Sequence, residues 1–180
     1  MKKSAIGLAL AGLILAAGCA TAPKAPALAA VPAPVASAAA KDSPITMANL
    51  DDFLGRRDVV VIDLRNFEER FNGGYVSGTE TIPFFQYLEG RMVTRGTVDG
   101  KATWDAASAQ VNEAFPFSAY FDQNKAIVLF CASGTRAAYV KTILDKKGYR
   151  TYNAGGFKDY KGAYKVLGDG VYALPAPAAH

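Results

Sequence analysis

The stretch that decides the fold is VLFCASGTRAAYV, residues 128–140. An apolar, β-branched run ends on Cys131. Four small residues follow, Ala132, Ser133, Gly134 and Thr135, and then Arg136 opens a segment of helical pattern. A strand feeding a helix through a tight loop is the unit of a parallel sheet. In open α/β sheets the ligand end is the carboxyl end of the strands, where Cys131 falls. Peptide N–H groups at a helix start face the preceding loop and favour negative charge. A cysteine so placed is expected to be an accessible, reactive sulfur, with Arg136 adding a full positive charge. The competing reading of Cys131 is inert packing at a strand end.

Working outward, KAIVLFC (125–131) and VVVIDLR (59–65) both read as strands buried on two faces. Thr135 to Lys147 reads as a helix with Ala137, Val140 and Leu144 on one face, stopped by Gly148. Thr46 is expected to cap a short helix through Leu54, and Phe67–Asn72 to form another that stops at Gly73-Gly74. Short strands are expected around Thr81-Ile82 and at 151–153. Residues 84–124 are less regular. Phe84–Leu88 and Ala106–Phe115 look helical, and GRMVTRGTVDGKATW (90–104) is a hairpin or an irregular loop. This segment is either a surface excursion, a shaper of the site entrance or a binding surface for a partner. Trp104 and the aromatics Phe115, Phe117, Tyr120 and Phe121 are expected in the core or covering it. The whole reads as an α/β fold with a mainly parallel central sheet flanked by helices.

The first aromatic residue is Phe53, so the beginning of the chain has little to bury. Met1-Lys2-Lys3, the apolar run 5–17 and Gly18-Cys19 form a signal-peptide layout over 1–18, too short for a membrane span. LAAGC (15–19) resembles the lipobox of bacterial lipoproteins, with Cys19 as the lipid attachment site. Ala20 after it resembles an outer-membrane address. Cleavage near Ala27-Leu28-Ala29, giving a soluble periplasmic protein, is the alternative. Residues 19–44 are Ala/Pro-rich and read as a tether, 45–174 as the folded domain and 175–180 as a tail.

Three of the 20 Lys and Arg residues, Lys2, Lys3 and Lys24, precede Lys41; from Lys41 onward 17 basic residues stand against 16 acidic ones. No run of like charge marks a nucleic-acid surface. The two cysteines are Cys19 and Cys131, and the single histidine is His180. A Cys-His or Ser-His-Asp mechanism lacks its base, and a Cys/His zinc site lacks ligands.

Three motifs in order carry a family resemblance: DLRNFEERFNGGYVSGTETIP (63–83), CASGTR (131–136) and GYRTYNAGGF (148–157). Together they resemble the rhodanese (sulfurtransferase) superfamily over about Ile45–Leu174. The resemblance implies that Cys131 carries sulfur as a persulfide. It implies that Ala132, Ser133, Gly134, Thr135 and Arg136 form an anion cradle. A small sulfane-sulfur donor such as thiosulfate and a thiol or cyanide-like acceptor would be the partners, with no cofactor and no metal. The related phosphatases have five residues between Cys and Arg; four intervene here. A non-catalytic binding or sensing module and a thiol redox protein are the alternative functions. Arg136 either binds the anion or caps the helix or pairs with a carboxylate, and Asp63 and Arg65 are expected to brace the fold. Gly155 and Gly156 are expected in a turn. Tyr75 stands in the place of a family histidine, Tyr160 in that of a common Trp, and Glu69 matches the family's acidic position only if the helix carries one extra residue.

Overall fold

The structure is a computed structural model and describes residues 29–168 and Gly170. The leader, Cys19 and the 175–180 tail lie outside the described residues. No helix among the described residues is long and apolar enough to cross a membrane.

Strand β1 (Val59–Asp63) leads to helix α1 (Phe67–Gly73), then to the short strands β2 (Tyr75–Val76) and β3 (Glu80–Thr81). Residues 84–124 hold a π-helical turn (Phe84–Leu88), β4 (Val93–Thr94), β5 (Thr97–Val98), β6 (Lys101–Ala102), β7 (Gln110–Val111) and the one-turn helix α2 (Phe117–Tyr120). Then come β8 (Ala126–Cys131), α3 (Thr135–Lys146), β9 (Thr151–Gly156) and β10 (Lys165–Val166). The central sheet has the order β3-β1-β8-β9, all parallel, as the β-branched runs require.

Alternate residues of β8 supply two cores. Ile127, Leu129 and Cys131 pack with α3 and the 84–124 segment; Ala126, Val128 and Phe130 pack with Ile45, Met47, Leu50 and Phe53. The 84–124 segment is therefore no surface excursion. Phe84, Leu88, Met92, Val93, Phe115, Phe117 and Phe121 are buried in the first core. Trp104 lies partly buried against Phe84 and Tyr139, at ring distances of 5.2 and 5.5 Å.

The expected helix over 106–115 does not form. The Asp105 carboxylate accepts from Ala107 N–H, starting a turn, and β7 then pairs antiparallel with β4. The stretch 90–104 holds a hairpin, β5 with β6, turned on Asp99-Gly100, both at positive φ. The expected helix from Thr46 shrinks to a 3-10 turn over Leu50–Asp52. There the Asn49 side chain folds back on Thr46 N–H and donates to Pro44 O, competing with helical bonding.

The described end of the Ala/Pro-rich stretch, 31–44, lies on the folded body. Tyr152 Oη donates to Pro32 O at 2.5 Å, buried Lys141 Nζ to Val35 O at 3.1 Å, and Asn153 Nδ2 to Ala38 O at 2.9 Å. A stretch poor in large apolar side chains is held by its carbonyls, a signal composition does not carry.

Candidate active site

Cys131 is the last residue of β8, at the carboxyl edge of the sheet, and Gly134 is the N-cap of α3. Gly134 has φ 92°, and its N–H points at Cys131 Sγ at 3.1 Å. Ser133 and Thr135 are exposed, with their hydroxyls 3.2 Å apart, and Ala132 is half-buried. Cys131 itself is fully buried, contrary to the accessible sulfur expected of it. The loop curls over the sulfur, and the Arg136 guanidinium lies within its electrostatic reach.

Arg136 does not hang free in the loop. Its Nη1 and Nη2 donate to the two carboxylate oxygens of Glu69 at 2.7 and 2.6 Å, a bidentate pair. Burial works against the charge on Arg136. The Glu69 bonds and then the Cys131 sulfur outweigh it and raise its pKa above the ordinary value. Burial likewise opposes the Glu69 carboxylate. The Arg136 bonds and the Asn66 N–H, which donates at 2.8 Å, hold its pKa below the usual range. One carboxylate thus closes the start of α1 and anchors the start of α3. The face of the guanidinium sits 5.6 Å from the Phe85 ring centre, so the 84–124 segment borders the site.

Asp63 and Arg65 brace the fold, as expected. Arg65 Nε and Nη2 donate to Asp63 at 3.0 and 2.7 Å, Arg70 Nη1 adds a bond at 3.2 Å, and all three are buried. Arg65 stacks 3.7 Å from the Phe157 ring centre and donates to Gly74 O at 3.0 Å. Tyr75 takes the Arg70 guanidinium on its face at 4.5 Å. Tyr160 is buried; its hydroxyl donates to Asp51 at 2.5 Å and accepts Tyr164 N–H at 3.1 Å.

Gly155 and Gly156 do not form the expected turn; they end β9 beside the loop. A β-bulge after the Leu129–Asn153 pair brings Phe130 opposite Gly155 and Cys131 opposite Gly156. A Cβ on Gly156 would stand 2.6 Å from Ala132 O, so only glycine allows this approach. Asn153, which the sequence reading passed over, is buried and bonds both Gly134 O and Gly155 N–H. Its signal was an amide between Tyr152 and Ala154 in a strand buried throughout.

A model of the rhodanese-like domain matches residues 46–163. The chain belongs to the rhodanese-like domain family. Among solved structures, a rhodanese-like domain protein from Staphylococcus aureus is 22% identical over 68% of this chain and 95% of its own, with a TM-score of 0.43. A rhodanese with anions from E. coli is 24% identical over 61% and 99%, with a TM-score of 0.38. A Rhodopseudomonas palustris protein described as a possible tyrosine phosphatase is 20% identical over 71% and 87%, with a TM-score of 0.45. No curated protein shows significant similarity.

Proposed function

We propose that this rhodanese-like domain is a sulfurtransferase that carries sulfur on Cys131. The observation that supports this best is the Gly134 N–H aimed at a cysteine sulfur that closes a parallel strand. The Cys131 thiolate attacks the outer sulfur of a sulfane donor such as thiosulfate. The donor S–S bond breaks, its electron pair leaves with sulfite, and Cys131 becomes a persulfide. A thiolate or cyanide acceptor then attacks the terminal sulfur. The persulfide bond breaks and the Cys131 thiolate returns, so no outside oxidant or reductant is needed.

The Arg136 charge, within reach of the Cys131 sulfur, favours an anion there. Phosphatase chemistry is disfavoured by the loop, which has four residues between Cys131 and Arg136 where the related phosphatases have five. Since the resting sulfur is buried, loading requires it to become exposed to the donor. The steady-state test varies donor and acceptor together. Parallel double-reciprocal lines, abolished by Cys131→Ser, support the two-step transfer; intersecting lines, or activity that survives the substitution, overturn it.

Burial of Cys131 favours a second reading, a binding module in which that sulfur only packs. Capture of a partner that survives Cys131→Ser, with no sulfur turnover, distinguishes it. The leader and LAAGC support anchorage of the domain at the cell envelope through Cys19. Loss of metabolic fatty-acid labelling in Cys19→Ser tests that; labelling absent from the unsubstituted protein contradicts it.

A further inference from the structure

Glycine at 134 lets the backbone reach φ 92°, and no other residue type does so without strain. The same freedom leaves Gly134 without stiffness of its own. A Cβ there would meet Gly155 Cα at 3.2 Å, so the position is also tightly enclosed. Its N–H faces the sulfur, and its carbonyl accepts twice. Ala138 N–H makes the first helical bond at 2.9 Å, and Asn153 Nδ2 fills the second lone pair at 3.1 Å.

Asn153 is 2% exposed and is committed on every side. Its Oδ1 accepts Gly155 N–H at 2.9 Å, and its Nδ2 also donates to Ala38 O at 2.9 Å. These contacts fix which end of the amide faces Gly134. A flipped amide would set Oδ1 against the Gly134 carbonyl and leave Gly155 N–H facing a donor. The side chain therefore ties the start of α3 to the end of β9, across the loop that encloses the sulfur.

We propose that Asn153 is a positioning residue. It holds Gly134 so that the loop N–H stays on Cys131 Sγ, through bonds that never touch the donor. The proposal rests on the sulfur-carrier reading for its kinetic consequence but not for its structural one.

The test uses the full chain, the variants Asn153→Leu and Asn153→Asp, and thiosulfate as the probe donor. Asn153→Leu keeps bulk and removes every bond. Asn153→Asp keeps the acceptor for Gly155 and loses both donors, and it serves if the first variant does not fold. In either variant, hydrogen exchange at the Gly134 amide rises about tenfold, the scale of one lost hydrogen bond, while Val128 and Leu129 amides are unchanged. The maximal single-turnover rate of sulfur loading falls about tenfold, and the half-saturating thiosulfate concentration stays within about twofold. Exchange that rises equally at all these amides, or an unchanged Gly134 amide, makes Asn153 ordinary packing and overturns the proposal. If the unsubstituted protein takes up no sulfur, the sulfur-carrier reading fails, and Gly134 exchange still decides the role of Asn153.

Discussion

Glu69 holds Arg136 by two parallel hydrogen bonds, 2.7 and 2.6 Å long, although the two residues lie on different helices and 67 positions apart in the chain. This pair locks the start of α3, and with it the loop that ends at Arg136. Glu69→Gln is expected to weaken the fold by about 1–3 kcal/mol, the cost of leaving a largely buried guanidinium short of its charged partner. Urea unfolding of the two proteins measures it. An unchanged midpoint would show that the pair contributes nothing.

The same pair sets an acid limit. The Glu69 carboxyl has its pKa lowered in the fold, so its stabilisation is complete above its ordinary value of 4.5 and is lost as pH falls through the lower folded value. Stability measured from neutral pH downward should fall in that acid window, and less steeply in Glu69→Gln. Equal slopes in both proteins would contradict the assignment.

Asp63 faces Arg65 and Arg70 with no exposure to solvent. Asp63→Asn leaves two buried guanidiniums without a counter-charge and should cost about 3–5 kcal/mol, read as a lowered melting temperature or loss of folded protein. A variant as stable as the parent would mean that the arginines find other partners.

Burial and the bond to Asp51 push the Tyr160 pKa up to about 12, from an ordinary 10.0. A raised folded value favours the fold below the ordinary value, and that advantage disappears as pH climbs through the folded one. Comparing phenolate absorbance in Tyr160→Phe and the parent should reveal one phenol missing from the late part of the alkaline titration. A missing early-titrating phenol would contradict the Asp51 contact.

The central strands and the helix after Cys131 were legible in the sequence. They rest on local signals: β-branched runs at 59–63 and 126–131 and helical spacing from Ala137 to Leu144. The burial of Cys131 was not legible, because it depends on how β9 and the loop close together. Nor was the β4–β7 pairing, in which two-residue strands gain their order from packing on the first core rather than from propensity. A carboxylate partner for Arg136 was one of two readings of the sequence, but that it is Glu69 was not legible. A contact between two helices is set by the sheet that separates their sequences.

A sulfurtransferase of this kind is defined by what Cys131 carries. Intact-mass measurement of the purified protein after exposure to thiosulfate and to organic persulfides tests this most directly. The account predicts a gain of one sulfur atom, localised to Cys131 by peptide mapping, removed by cyanide and absent from Cys131→Ser. An unaltered mass across that set of donors, in protein shown to be folded and reduced, would contradict it.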